Sequence, residues 1–290
     1  QYSLPELTVF SSTWWFGYVP NVLGMLIGKL LRLSEPWLYR LGFVSAAALY
    51  ALLGAEAVRH APKYKLTFLL LAALPTCMVI ASDFTYDAMT IAGMLLGTAL
   101  VLDELASPEE PLSARSALRM VLVLSLCTLA KPAYSFGLLL LLFLPKSKFK
   151  APLRRVEFRA FVFFLLLLCL GTCLLGSYAD MIGGDSRMEG TDSAAQLRYV
   201  LADPAAFLLL LGRYIVHDLP AFFPNAAACW GQFSANALFS KLFLALLLLV
   251  APLASAKESP LSLTAKRRAG FGALAFLPLL VLMVTQYMVS

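Results

Sequence analysis

The sequence predicts an all-α fold: a polytopic transmembrane helical bundle of about eight spanning helices with interfacial helices beside them. Three observations predict it. Hydrophobic residues fill 60% of the 290 positions and charged residues only 14%, where a soluble domain carries about 25% charge. Apolar runs such as 161–170 and 242–250 recur along the chain, more than one soluble core can bury. The Lys and Arg behind the net charge of +6 crowd into short loops, as on the cytoplasmic side of a membrane protein. The positive charge is therefore topological, with some attraction to anionic membrane lipids, and no nucleic-acid partner is expected.

Residues 1–15 pass from polar to aromatic and end in Trp14-Trp15, which suits a membrane interface. Phe16, Val19, Leu23, Leu26, Ile27 and Leu30 then recur at helical spacing. A helix of about 15 residues is roughly 22 Å long, short of a hydrocarbon core of about 30 Å, so this one reads as interfacial. Gly24 and Gly28 form a GxxxG pair that permits close helix packing. Spans follow at 37–58, 66–82, 87–103, 117–131, 133–145, 160–178, 237–255 and 270–289. Pro132 disfavours helical geometry at Lys131, so a break is expected there. Such breaks are tolerated in a membrane where other helices enclose them or they line a wet cavity.

Assigning the basic loops to the cytoplasm sets the topology. The loops near 59–65, 103–119, 145–159 and 256–268 hold fifteen of the twenty-three Lys and Arg and fall inside. Asp83, Asp87, Lys131, Tyr134 and the long loop 179–236 then fall outside together. A crossing by 205–216 would export Lys266-Arg267-Arg268, so that run reads as an interfacial or re-entrant helix introduced by Asp203-Pro204. The acidic stretch 103–111 reads as a solvated loop. The whole, 1–290, is one transmembrane domain. It opens on Gln1 rather than Met and closes on Ser290 directly after an apolar run, so both ends read as truncated.

Ionisable groups at membrane depth are costly and mark functional sites. Asp83 and Asp87, four residues apart between two apolar runs, are the candidate catalytic acids. They would orient an acceptor hydroxyl or hold a divalent cation, the one candidate cofactor. The plainer reading is helix capping, with Asp83 or Thr85 capping the helix that carries Asp87. Lys131 is the candidate phosphate ligand as a compact point charge; its plainer reading is a lysine snorkelling to the interface. Tyr86 and Tyr134 read first as interface anchors. With Arg40, near the outer start of a span, they complete the candidate substrate-binding set. Of the five cysteines, Cys77, Cys127, Cys169 and Cys173 lie in apolar runs and only Cys229 in the long external loop, so neither a disulfide nor a zinc site is expected. The chain has no GxxxxGK[ST] phosphate loop, HExxH motif or GxSxG elbow, so group transfer would draw on an activated lipid-linked substrate or an ion gradient.

The order of blocks carries a resemblance. Gly17-Tyr18-Val19-Pro20, Leu38-Tyr39-Arg40-Leu41, Leu74-Pro75, Ala81-Ser82-Asp83-Phe84-Thr85-Tyr86-Asp87-Ala88, Ala130-Lys131-Pro132-Ala133-Tyr134 and Ala202-Asp203-Pro204 resemble the bacterial predicted-membrane-protein family called domain of unknown function 2142. The likeness is best over 16–145 and thin over 205–290. It implies a relation to the C-type integral-membrane glycosyltransferases, which use polyprenyl-phosphate-linked sugars outside the membrane. By that likeness Lys131 faces the lipid phosphate and Asp87 lines the cavity. Such enzymes place a catalytic aspartate in the first external loop, which the likeness puts upstream of residue 1. A glycine- and arginine-containing segment would follow the last helix.

The expected function is therefore a glycosyltransferase-like protein of the bacterial cytoplasmic membrane, acting in cell-surface glycan assembly on a polyprenyl-phosphate-linked sugar among membrane lipids. Two rivals stand beside it. A transporter or flippase for a lipid-linked glycan would need interrupted helices paired between its two halves, and only the Lys131-Pro132 break is evident. A non-catalytic membrane scaffold is the other.

Overall fold

The computed structural model of the chain describes residues 13–130, 132–183, 193–217, 237–255, 261 and 263–289. Among these residues every regular element is helical. A 3-10 turn, Thr13–Tyr18, leads into α1 (Val19–Leu30), α2 (Glu35–His60), α3 (Lys65–Ala72), α4 (Pro75–Ala81), α5 (Asp87–Ala106) and α6 (Ala114–Ala130). A 3-10 segment, Pro132–Phe143, and a short turn, Lys146–Lys148, precede α7 (Pro152–Gly183), α8 (Ser193–Ala202), α9 (Pro204–His217), α10 (Ala237–Ser255) and α11 (Ala265–Val289). The helices pack in sequence, α1 on α2, α2 on α5 and α5 on α6. The 3-10 segment is then wedged among α6, α7 and α11. Of the described helices, α2 and α5 are long and apolar enough to cross a bilayer, with mean hydropathies of 1.7 and 1.5.

The packing suits lipid rather than water. α1 turns Pro20, Asn21, Gly24 and Gly28 inward and leaves Val22, Leu23, Leu26, Ile27 and Leu30 exposed. α2 buries Gly42, Ala46, Tyr50, Gly54 and Ala57 while Val44 and Leu52 face out. On α7, Phe161, Phe163, Phe164 and Leu167 are exposed. A contiguous apolar surface of this kind is unfavourable in water. In lipid, small residues at the contacts let backbones approach and gain packing. The Gly24 and Gly28 pair acts in this way: a Cβ on Gly24 would meet the Leu41 carbonyl and Ser45, and one on Gly28 would meet Leu38. A second pair, Gly93 and Gly97 on α5, admits Cys127 and Leu124 of α6. Cys77, Cys127 and Cys169 are buried free thiols, with Cys169 accepting from the Thr128 hydroxyl at 3.1 Å.

The span expected over 66–82 is two helices. Pro75 opens α4 and holds Leu74 at φ −57°, ψ 132°, the extended geometry a following proline imposes. An unpaired backbone carbonyl is expensive where water is absent. The Tyr50 hydroxyl donates to the Ala72 carbonyl at 2.7 Å, where α3 ends. Tyr50→Phe should therefore cost about 1–3 kcal/mol by stranding that carbonyl. A thermal melt in detergent checks this, and an unchanged melting temperature would refute it.

The break expected at Lys131-Pro132 is present, since α6 stops at Ala130. Lys131 itself lies outside the described residues. The run after it is a 3-10 helix of 12 residues, where such helices seldom exceed about 4. At about 2.0 Å per residue it reaches roughly 24 Å, against about 18 Å for an α-helix of equal length. Stretching thus brings a short run close to spanning length. Its Leu138, Leu141 and the following Leu144 are buried with Leu124, Val101 and Val162 in the main core. α7 starts within the basic loop and continues for 32 residues, beyond the 160–178 expected. The loop expected over 179–236 therefore begins later and contains α8 and α9, while 184–192 and 218–236 lie outside the described residues, as do 1–12. α9 opens as expected at Pro204, with the Asp203 carboxylate accepting the Ala206 N–H at 2.9 Å.

Candidate functional site

The turn between α4 and α5 is built by its own polar side chains. The Ser82 hydroxyl donates to the carbonyls of Met78 and Val79, each at 3.0 Å, closing α4. Asp83 Oδ1 accepts the Phe84 N–H at 2.7 Å, and the Thr85 hydroxyl accepts the Asp87 N–H at 3.1 Å. Thr85, one of the two capping choices open in the sequence, thus holds the first N–H of α5, while the N-cap position itself is Tyr86 with no side-chain cap bond. The same hydroxyl lies 3.4 Å from Asp87 Oδ2 and steers that carboxylate. A carboxylate in the first turn of a helix is further favoured by the helix dipole.

The turn is clamped by α1 and α2. Phe84 meets Phe43 and Tyr39 edge-on, at centroid distances of 4.8 and 5.9 Å. Asn21, fully buried, donates to the carbonyls of Gly42 at 3.3 Å and Asp83 at 3.4 Å, tying three elements together. Its Oδ1 has no partner among the described residues. Gly17 abuts the backbone of Tyr86, and Tyr18 packs edge-on against the Tyr86 ring at 5.8 Å.

Of the candidate residues, Tyr86 and Asp87 are half-buried neighbours under the 3-10 turn Thr13–Tyr18, which also packs on α6. Asp83 is exposed, and one of its oxygens is engaged with Phe84. Tyr134, half-buried, lies in the first turn of the 3-10 segment, which packs on α5 and α6. Arg40 stays apart: it is exposed and stacks over the Trp37 ring at 4.7 Å. Tyr18 was given no role from the sequence. Burial first, then the nearby Tyr86 and Asp87, hold its hydroxyl above the ordinary tyrosine value, so it stays a proton-bearing donor beside the Asp87 carboxylate. Its membership of the Gly17-Tyr18-Val19-Pro20 block was the available signal. Among the described residues no group of three or more His, Cys, Asp or Glu has the arrangement of a metal site.

A second polar cluster lies at the opposite ends of α2 and α5. His60 faces Arg119 at 3.2 Å, Glu56 at 3.5 Å and Asp103 at 3.7 Å, beside a cleft of about 360 Å³ lined by Glu56, Arg59, His60, Leu96 and Arg119. The acidic stretch 103–111, expected as solvated loop, begins inside α5. There Glu104 pairs at 2.7 Å with a Lys148 whose side chain is only 2% exposed. Acids and bases balance within this cluster, whereas Asp87 lies in a junction of hydroxyls and rings.

The family model described as predicted membrane protein, DUF2142, matches residues 16–290. The chain belongs to that family. No curated protein and no solved structure matches the chain. DUF2142 membership, the all-helical fold and the outward apolar faces agree on a membrane protein. The match also takes in the C-terminal region 205–290, where the resemblance in the sequence was thin.

Proposed function

We propose that this DUF2142 protein is a glycosyltransferase-like membrane protein that uses a polyprenyl-phosphate-linked sugar in bacterial cell-surface glycan assembly. One observation carries the reading. A carboxylate, Asp87, opens an apolar helix of spanning length and is held by Thr85 beneath Tyr18 and Tyr86. A carboxylate flanked by hydroxyl donors at the end of a lipid-facing bundle is suited to orienting a sugar hydroxyl.

In this reading the acceptor hydroxyl donates to Asp87 while its oxygen bonds to the anomeric carbon. The bond from that carbon to the phosphate oxygen breaks, and polyprenyl phosphate leaves. Lys131, between α6 and the 3-10 segment, stabilises the leaving phosphate as charge develops. Tyr134 and Tyr86 wall the sugar. Asp83 serves the turn rather than the substrate.

The test is sugar transfer from a polyprenyl-phosphate donor in proteoliposomes. Asp87→Asn and Lys131→Ala should each slow transfer by about 10²–10³, the effect of losing one well-placed electrostatic group, while Asp83→Asn stays close to the parent. Unchanged transfer in both variants would end the proposal. The interruption at Ala73 and Leu74, alongside that at Lys131, favours a second reading, a transporter for lipid-linked glycan, since transporters build sites at broken helices. Both breaks fall in the first half of the chain, so the paired halves of such a transporter are not evident. Movement of labelled lipid-linked glycan across sealed vesicles without new glycosidic bonds would select it.

A further inference from the structure

At the far end of the 3-10 segment three arginines meet with no acid paired to them among the described residues. Arg159 donates to the Leu142 carbonyl at 3.1 Å. Arg155 lies one turn earlier on the same face of α7, and its Nε is buried with no partner among the described residues. Arg267, in the first turn of α11, lies one turn before Phe271, which stacks on Phe143 at 4.7 Å. Leu142 and Phe143 are adjacent, so the two helices bring their arginines to one point. Partial desolvation, then the charges of Arg159 and Arg267, pull the Arg155 guanidinium below its ordinary value.

Three other cations at this end of the bundle have counter-charges. Lys148 pairs with Glu104, Arg59 with Glu56, and Arg154 with Glu157 at 3.5 Å. Arg155, Arg159 and Arg267 make no such pair among the described residues. Arg155 and Arg267 also lie in the opening turns of α7 and α11, whose N-terminal ends carry positive potential and favour anions, with Arg159 one turn further along α7. A count of basic residues in a loop accounts for topology. It does not account for three guanidinium groups drawn together between two helices, one with a buried donor that has no partner among the described residues.

We propose that Arg155, Arg159 and Arg267 form a binding site for a phosphate group, supplied by an anionic membrane lipid or by free phosphate. Guanidinium forks match phosphate oxygens in planar, bidentate pairs. The stacked Phe143 and Phe271 offer an apolar wall to an acyl chain entering from the bilayer, and basic pockets between membrane helices bind anionic lipid headgroups in this way.

The experiment uses the full chain in nanodiscs of phosphatidylcholine alone or with phosphatidylglycerol, and in phosphatidylcholine with added inorganic phosphate. Melting temperature and lipid retained in native mass spectrometry are the readouts. Phosphatidylglycerol should raise the melting temperature and remain bound. Arg155→Gln and Arg267→Gln should each weaken retention about tenfold or more. Arg154→Gln and Lys266→Gln, which remove the same charge outside the cluster, should leave it unchanged. Stabilisation by phosphatidylglycerol alone identifies a lipid site, and equal stabilisation by inorganic phosphate identifies a free-phosphate site. The proposal is overturned if neither stabilises, or if all four variants lose retention equally. Should Arg155→Gln fail to fold, Arg267→Gln alone carries the comparison.

Discussion

Glu104→Ala is expected to destabilise the protein by about 3–5 kcal/mol, because it strands a buried ammonium. Lys148 Nζ lies 2.7 Å from Glu104 Oε2, with side-chain exposures of 2% and 17%. The lysine cannot swing away cheaply. Its carbonyl accepts the Leu112 N–H at 2.8 Å and its N–H donates to the Pro145 carbonyl at 3.3 Å, so the short turn after the 3-10 segment is fixed to the loop after α5. Replacing both partners together, as Glu104→Leu with Lys148→Met, should recover most of the loss, since a buried pair is often no better than apolar packing of like volume. Denaturant unfolding in detergent micelles measures both. If the single variant unfolds with the parent, the ammonium is not buried as described.

Gly24→Val is expected to separate α1 from α2 and to cost about 3 kcal/mol, the upper end for overpacking. The neighbour is main chain: the added Cβ would meet the carbonyl of Leu41, and Ser45 Cβ stands at 2.7 Å. A flexible side chain could yield at such a distance, but a helix backbone cannot. Because α1 also carries Asn21, which holds the Gly42 and Asp83 carbonyls, the damage should reach the Asp87 turn and, under the proposed function, abolish sugar transfer. Gly171→Ala is the control. It lies within α7 with nothing within 4 Å of its added Cβ, so it should be neutral or stabilise by about 0.5–1 kcal/mol. Limited proteolysis near the α1–α2 connection separates the two outcomes.

These contrasts show what the sequence could tell. Chain breaks that rest on a local steric rule were legible, as at Lys131-Pro132 and Asp203-Pro204. Pro75 obeys the same rule, yet the apolar run around it masked the break. The helix expected over 16–30 was legible except for its start, where 16–18 belong to the 3-10 turn, and its GxxxG spacing allowed a close helix contact without naming α2 as the partner. The 3-10 winding of 132–143 was not, because a run this rich in leucine shows no periodicity to distinguish two helical pitches. The Asp87 turn was legible as an oddity, two acids between apolar runs, and so was its capping, which is local. Tyr18 beside Asp87, His60 beside Arg119 and Lys148 on Glu104 are contacts between distant segments. Charge counting treats each of them as separate loop residues. The arginine cluster was visible only as a topological signal, since convergence depends on how α7 and α11 flank the 3-10 segment.

That segment is also a strut whose length depends on its winding. Its first turn holds Tyr134, next to the junction that carries Lys131, and its last residues touch Arg159 and Phe271. Rewinding its 12 residues as an α-helix would shorten it by about 6 Å and rotate successive side chains about the axis by roughly 20° per residue. A group bound at the arginine end and a sugar bound at the tyrosine end would then share one mechanical coordinate. Whatever fixes the pitch at one end sets the position of Tyr134 at the other.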